Sequence, residues 1–315
     1  MRKYEDLESI REKEVGCVAA VGNFDGVHTG HRAIFRETVS RAEDIAADGL
    51  VLTFSRHPAA TVMPDNKPSV IMTVADRLRI ASGLGVNAAL VLPFDRQTAS
   101  MIPEQFVEEV LVNTLSVSAV VAGQGWRFGK DRAGDVDLLS ALGRERGFCV
   151  YSVPSVFFKG LPVSSTRIRD TLSDGDVEGA RNLLGRPHFV RGTVIEGQGR
   201  GRGLGYPTVN LDCGDVILPA NGVYGAAFSF EGRSGPAAVN IGTRPTFGGG
   251  PLTVEAHLFE IDERLYDSEI TLSFLARLRD EMTFEDEHSL REQISEDVKS
   301  AVKIFSQISS RGISF

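Results

Sequence analysis

The strongest constraint on the fold is a change of texture at residues 185–187, where Gly185-Arg186-Pro187 interrupts the chain. Before that point, short apolar runs alternate with amphipathic stretches of ten or more residues. Residues 17–21, 50–54, 88–92, 118–122 and 148–153 read as buried strands. Residues 32–47, 73–84, 103–115, 135–146 and 176–184 read as helices. Alternation of this kind predicts a parallel sheet with helices on both faces. After the break, strand-like segments follow at 189–195, 222–230, 236–241, 252–259 and 269–275, separated by glycine-rich turns. That pattern predicts an antiparallel barrel or sandwich. A last helix is expected to start at a capping box, Ser289-Leu290-Arg291-Glu292, and to show an apolar stripe of Leu290, Ile294, Val298, Ala301 and Phe305. The expected domains are residues 1–185 and 186–315, and 315 residues suffice for two cores.

In open parallel sheets, ligands bind beyond the carboxyl ends of the strands. The first such end here is Gly22-Asn23-Phe24-Asp25-Gly26-Val27-His28-Thr29-Gly30-His31. Glycines let the backbone turn and approach a ligand. A helix start offers free N–H groups and a positive dipole end, which suit phosphate. Two histidines three apart share one helical face. The pattern suggests a phosphate loop armed with two imidazoles, the alternative being a glycine turn with capping histidines. A second polar cluster, Ser164-Ser165-Thr166-Arg167-Ile168-Arg169, puts hydroxyls at a helix start and arginines in its first turn. Those arginines oppose the helix dipole unless an anion binds; otherwise the cluster is an ordinary cap.

Other motifs exclude functions. The segment 123–130 lacks the Walker A spacing, and Asp131 stands where a hydroxyl is needed. No GxGxxG follows the first strand. A formal net charge of -8 argues against a general nucleic-acid binder. No apolar run spans a membrane, and no apolar segment suited to a signal peptide follows Met1, so a cytoplasmic protein is expected. Cys17, Cys149 and Cys213 are far apart in apolar contexts and read as reduced core residues.

The second half carries its own cluster. Glycine occupies every other position from 197 to 205, with Arg200 and Arg202 between. Such a loop can wrap phosphates with backbone N–H groups, or serve as a linker. Thr208 and Asn210 point the same way on an extended chain and offer oxygens suited to Mg²⁺. Glu255 lies on the polar side of an alternating strand, where a solvated sheet face is the simplest alternative.

The segment 22–31 resembles the HxGH signature of the nucleotidyltransferase superfamily, and 164–169 is similar to that superfamily's second phosphate motif. Phe-Asp-Gly-Val before the histidine resembles the adenylyltransferase half of bacterial bifunctional FAD synthetases. So do Phe54-Ser55-Arg56-His57-Pro58 and Arg127-Phe128-Gly129, although Gly125-Trp126 departs from the usual acidic or amide residue before the aromatic. The glycine loop, Pro207-Thr208-Val209-Asn210, Asn240-Ile241-Gly242-Thr243-Arg244-Pro245 and Val254-Glu255 resemble, in order and content, the riboflavin kinase domain.

The resemblance covers nearly the whole chain. It implies an N-terminal Rossmann-like nucleotidyltransferase domain and a C-terminal Greek-key β-barrel closed by a helix. It implies a bifunctional enzyme that phosphorylates riboflavin to FMN and adenylylates FMN to FAD, using ATP with Mg²⁺. Flavins are then substrate and product rather than redox cofactors. For nucleotide binding it implies Gly22, Asn23, Phe24, His28, Gly30 and His31 with Ser164, Ser165, Thr166 and Arg169. In the second domain it implies Gly199, Gly201, Gly203 and Gly205 over the phosphates, Thr208 and Asn210 for the metal, and Glu255 as base. His57, Arg127 and Asn240 are the implied flavin contacts. A chain with one surviving activity and a non-catalytic flavin sensor are the competing readings; intact His28, His31, Arg169 and Glu255 weigh against both.

Overall fold

A computed structural model describes residues 1–10, 16–56, 61, 68–197, 203, 205–243, 252–259, 261 and 265–312. By contacts the chain divides into two units, Met1–Ser165 and Thr166–Phe315.

In the first unit, six strands form a parallel sheet: β1 (Arg2–Tyr4), β2 (Val18–Val21), β3 (Gly49–Phe54), β4 (Ala88–Leu92), β5 (Ala119–Gly123) and β6 (Cys149–Val153). Their order is β1-β4-β3-β2-β5-β6. The chain winds outward from β2 through β3 and β4, then crosses to β5 on the other side. The switch point therefore lies between β2 and β5, and the loop leaving β2 opens there. β2 and β4 are buried at every residue, because both faces of an internal parallel strand are covered. Ala19, Val21, Leu50, Leu52, Leu90 and Leu111 belong to one core cluster.

The helices match their sequence signals closely. A short helix α1 (Leu7–Ile10) precedes α2 (Thr29–Asp44). α3 (Val74–Gly83) is capped by Thr73, whose Oγ1 accepts from Asp76 N. After α4 (Arg96–Ser100), the stretch expected as one helix over 103–115 is instead α5 (Pro103–Phe106) running into a π-helical turn, Val107–Val112. α6 (Val136–Arg146) starts at Asp135 and stops at Gly147, whose left-handed φ of 84° suits glycine. β1, which pairs with β4, and a small hairpin of β7 (Phe157–Phe158) and β8 (Leu161–Pro162) carry no clear period and were not expected. The cysteine expectation needs correction. Cys17 is buried, but Cys149 is exposed on the sheet's edge strand and Cys213 is half-buried.

The second unit opens with α7 (Ser165–Ser173) and α8 (Val177–Leu184). Six strands then close a barrel: β9 (His188–Ile195), β10 (Val209–Asp212), β11 (Gly222–Phe230), β12 (Arg233–Thr243), β13 (Leu252–Leu258) and β14 (Glu269–Arg279). The circular order is β10-β13-β12-β11-β14-β9, antiparallel throughout. β11, β12 and β13 form a meander and β14 returns beside β11, which is a Greek key. Closure leaves no sheet edge to protect.

The final helix, α9 (Glu287–Ser309), is capped by Asp286, not by Ser289, which instead donates its backbone N–H to Asp286 Oδ1 at 2.7 Å. Charge at Asp286 suits the helix dipole and explains the earlier start. The helix packs Ile308 against Ala227 and Leu275, with Ile304 and Phe305 alongside. Gly225 lies against this helix, where a Cβ would meet the Ala301 backbone at 3.4 Å, an ordinary contact. Asp297, absent from the apolar stripe, is buried and binds Arg279, with Nη2 to Oδ2 at 2.8 Å and Nε to Oδ1 at 3.1 Å.

Candidate active sites

The loop 22–28 leaves β2 with an unusual backbone. Phe24, Gly26 and Val27 have φ of 52°, 84° and 38°. Two of these are not glycine, and Val27 is β-branched, so the loop holds strain of the kind found at functional sites. Phe24 turns its ring inward, 2 % exposed, against Phe35 at 4.7 Å and edge-on to His31 at 5.3 Å. Gly22 makes room, since a Cβ there would come 3.0 Å from the Phe24 ring.

His28 is the N-cap of α2. Its Nδ1 accepts a hydrogen bond from His31 N at 3.3 Å. An accepting Nδ1 carries no proton, so the neutral ring bears its proton on Nε2 as a donor. The His28 and His31 rings stack with centroids 3.5 Å apart. Gly30 is part of this arrangement, because its missing Cβ would stand 3.1 Å from His28 Cε1. The structure thus brings together Gly22, Phe24, His28, Gly30 and His31 at a helix start. Asn23 is held from beneath: its carbonyl accepts from Thr53 Oγ1 at 3.0 Å.

Ser165 Oγ donates to Asp25 O at 2.8 Å, which ties Ser165 to the loop. Ser164 is half-buried; Thr166 is exposed and Arg169 half-buried on the first turn of α7, which belongs to the second unit. Arg127 is exposed and pairs with Asp135 at 3.1 Å. Trp126 stacks on Phe128 with centroids 4.6 Å apart and packs against the core, so its ring has a structural use. His57, Gly199 and Gly201 lie outside the described residues.

Two residues to which the sequence assigned no role buttress the first site. Asp25, 1 % exposed, accepts from Ile71 N at 3.0 Å and Met72 N at 3.3 Å. Arg77, 3 % exposed, donates from Nη1 to Thr53 Oγ1 at 3.1 Å and Asn23 Oδ1 at 3.4 Å. Burial lowers the Arg77 pKa, and the Asp25 charge opposes that shift.

The second site is set by strand register. Glu255 lies directly opposite Asn210 on one side and Asn240 on the other. β13 alternates, with Val254, Ala256 and Leu258 inside the barrel and Glu255 and His257 on its outer face. That outer face is not simply solvated. α9 covers it, leaving a cavity of about 320 Å³ lined by Glu255, Asn240, Thr208, His257, Tyr206, Arg279, Phe284, Leu290 and Ile294 among others. Thr208 Oγ1 donates to Glu255 Oε1 at 2.5 Å. His257 Nδ1 donates to Pro207 O at 2.7 Å, which steadies the chain just before Thr208. Gly197 leaves room for Asn210, whose amide would have to shift if a Cβ stood there, 2.0 Å from Nδ2. Gly205 takes a φ of +86°, close to Arg291 on α9, and Gly203 is exposed.

A doubly wound sheet with paired histidines at its switch point, joined to a Greek-key barrel with a carboxylate between two amides in register, is the architecture of a two-domain enzyme. The comparisons narrow it. Residues 10–167 match the family model described as FAD synthetase, and residues 184–305 match the one described as riboflavin kinase. The chain belongs to the bifunctional riboflavin kinase/FMN adenylyltransferase family. The member from Pseudomonas fluorescens is 37% identical, with 96% of this chain and 97% of that protein covered. Those of Escherichia coli K12 and Bacillus subtilis are 33% and 32% identical, covering 92% and 95% of this chain and 93% and 96% of theirs. A crystal structure described as a macrolide-efflux protein from Streptococcus pneumoniae has a TM-score of 0.86 at 29% identity, covering 95% of this chain and 97% of that one. No helix among the described residues is long and apolar enough to cross a membrane.

Proposed function

We infer that this enzyme makes FAD from riboflavin in two ATP-dependent steps, with residues 186–315 forming FMN and residues 1–185 adenylylating it in the cytoplasm. Family membership over nearly the full chain supports the two activities. The observation that carries the residue assignment is Glu255 and Asn240 lining one cavity of about 320 Å³, with Thr208 bonded to the carboxylate and Asn210 opposite Glu255 in strand register.

In the first step the riboflavin 5′-hydroxyl attacks the γ-phosphorus of ATP, and ADP leaves. A hydroxyl is a weak nucleophile, so a base that takes its proton is useful, and Glu255 has that role. The Thr208 hydroxyl fixes the carboxylate plane before substrate arrives. Thr208 and Asn210 supply neutral oxygens beside the carboxylate, a donor set that fits Mg²⁺. Among the described residues no group of three or more His, Cys, Asp or Glu could hold a metal, so such a cation would depend on nucleotide oxygens and water as well. Bound there, Mg²⁺ would screen phosphate charge. Gly199, Gly201, Gly203 and Gly205 are assigned to cover the phosphates, and Asn240 to contact the flavin.

In the second step an FMN phosphate oxygen attacks the α-phosphorus of ATP, and pyrophosphate leaves. The nucleophile is already anionic, so no base is needed. The protein must align the reactants and balance charge. The Nε2–H of His28 and the adjacent His31 ring are suited to phosphate oxygens. Arg169, with Ser164 and Thr166, is assigned to the triphosphate, and His57 and Arg127 to the flavin.

The test is a product assay with riboflavin, ATP and Mg²⁺ that separates FMN from FAD. Glu255→Gln is expected to abolish FMN formation and leave FMN-to-FAD conversion intact; His31→Ala is expected to do the reverse. Loss of both activities in either folded variant would overturn the assignment of independent sites.

A further inference from the structure

The loop 22–28 and α3 grip each other from both ends. Asp25 reaches from the loop to the backbone N–H groups of Ile71 and Met72, the two residues before the Thr73 cap. Arg77 reaches back from the first turn of α3 to Asn23 Oδ1 at 3.4 Å, Thr53 Oγ1 at 3.1 Å and Phe54 O at 3.5 Å. Thr53 Oγ1 passes the contact on, donating to Asn23 O at 3.0 Å. Ile71 fills the space beside Gly26, where a Cβ would meet it at 3.0 Å.

This arrangement is costly as packing alone. Arg77 is buried near the N-terminus of a helix, where the dipole disfavours a cation. Among the described residues its Nε has no hydrogen-bond partner. A leucine would fill such a place without a desolvation penalty. What the guanidinium provides is reach: its Nη1, at the end of the side chain, meets the loop at Asn23 and the end of β3 at Thr53 and Phe54 together. The loop needs such restraint, because Phe24 and Val27 sit at φ of 52° and 38°. Relaxing either residue would swing the chain that places His28 at the cap.

We propose that Arg77 is a positioning residue for adenylyl transfer: with Asp25 anchoring the loop to Ile71 and Met72, Arg77 holds the loop from the other side so that His28 keeps its cap geometry and its Nε2 proton. This deepens the adenylyl-transfer reading and rests on it for the rate effect. Arg77 touches no reacting group. It acts through Asn23 and Thr53 on the backbone that carries His28.

The experiment compares wild type with Arg77→Lys and Thr53→Val. Lysine keeps the charge but its ammonium ends one bond short of the Nη1 position that makes the three contacts; valine keeps the Thr53 shape but removes the relay hydroxyl. For FMN-to-FAD conversion, kcat is expected to fall about 10- to 100-fold in Arg77→Lys, as for a small misplacement of a catalytic group. Thr53→Val should fall less, in the same direction. KM for ATP should hold within about twofold, since the loss is of transition-state alignment. FMN formation by the same proteins should be unchanged. Spectra of ¹⁵N-histidine-labelled protein, with His28 assigned by His28→Gln, should show the proton on Nε2 in wild type and exchange between both nitrogens in Arg77→Lys.

Unchanged kcat with an unchanged His28 tautomer in both variants would overturn the proposal. So would an equal fall in FMN formation, which signals general destabilisation. If Arg77→Lys does not fold, Thr53→Val decides alone. If wild type forms no FAD, the adenylyl-transfer reading fails, while the nitrogen spectra still decide whether the brace controls His28.

Discussion

His188 gives the barrel a stability that depends on pH. It is 2 % exposed at the start of β9, stacked near Phe274 with ring centroids 6.0 Å apart. Its Nε2–H donates to Ile217 O at 3.1 Å. Burial, reinforced by the charge of Arg186, lowers its pKa from 6.5 to about 4, and the Ile217 carbonyl only partly opposes this. The unfolded chain therefore binds a proton that the native barrel refuses. Stability is full above pH 6.5, falls as pH drops through that value, and has lost this contribution below about 4. At 1.36 kcal/mol per unit the whole effect is about 3 kcal/mol, of which about 2 kcal/mol is lost between pH 7 and pH 5. The assay is amide hydrogen exchange of β9 and β14 at both pH values, corrected for intrinsic rates, in wild type and His188→Gln. Wild type should lose about 2 kcal/mol of protection and the variant little, whatever its absolute stability. Parallel losses in both proteins would refute the assignment to His188.

Two further outcomes follow from close contacts. Gly30→Ala places a Cβ 3.1 Å from His28 Cε1 and should weaken the cap by about 1 kcal/mol, measured as a fall in thermal midpoint. The displaced ring should slow FMN-to-FAD conversion about tenfold and leave FMN formation unaltered. Asp297→Leu strands Arg279 beside the barrel cavity and should cost about 3 kcal/mol of protection in α9 by hydrogen exchange. FMN formation should fall further than FAD formation, because the helix wall of that cavity is what loosens.

The residues legible in the sequence were those whose function depends on local pattern. Period and punctuation gave most helices: Thr73, Asp135 and Asp176 cap three of them, and Gly147 and Gly185 stop two, as their positions imply. Glu255's role as base came only from the family resemblance, while its place on the outer face of β13 was legible from alternation. The row Asn210–Glu255–Asn240 was not, because register between strands is a non-local quantity set by barrel closure. The chain after Ile102 reads as one helix, yet it widens into a π-turn at Val107–Val112, a backbone choice that side-chain period does not encode.

The illegible residues share a physical character. Asp25, Arg77 and Asp297 are charged, and a charge in sequence suggests a solvated surface. Each is buried because its partner comes from a distant segment: Ile71 for Asp25, Asn23 for Arg77, Arg279 for Asp297. In both units the buried charge sits one layer behind the residues assigned to chemistry and connects them to a neighbouring helix. A hydrophobic residue there could stabilise as well, but it would tolerate small slips in the loop or helix it holds. Hydrogen-bonded charges tolerate far less, because a slip leaves them unpaired in a low dielectric. For a loop kept at φ of 38° on valine, and for a helix that must leave 320 Å³ open beneath it, that intolerance is the useful property.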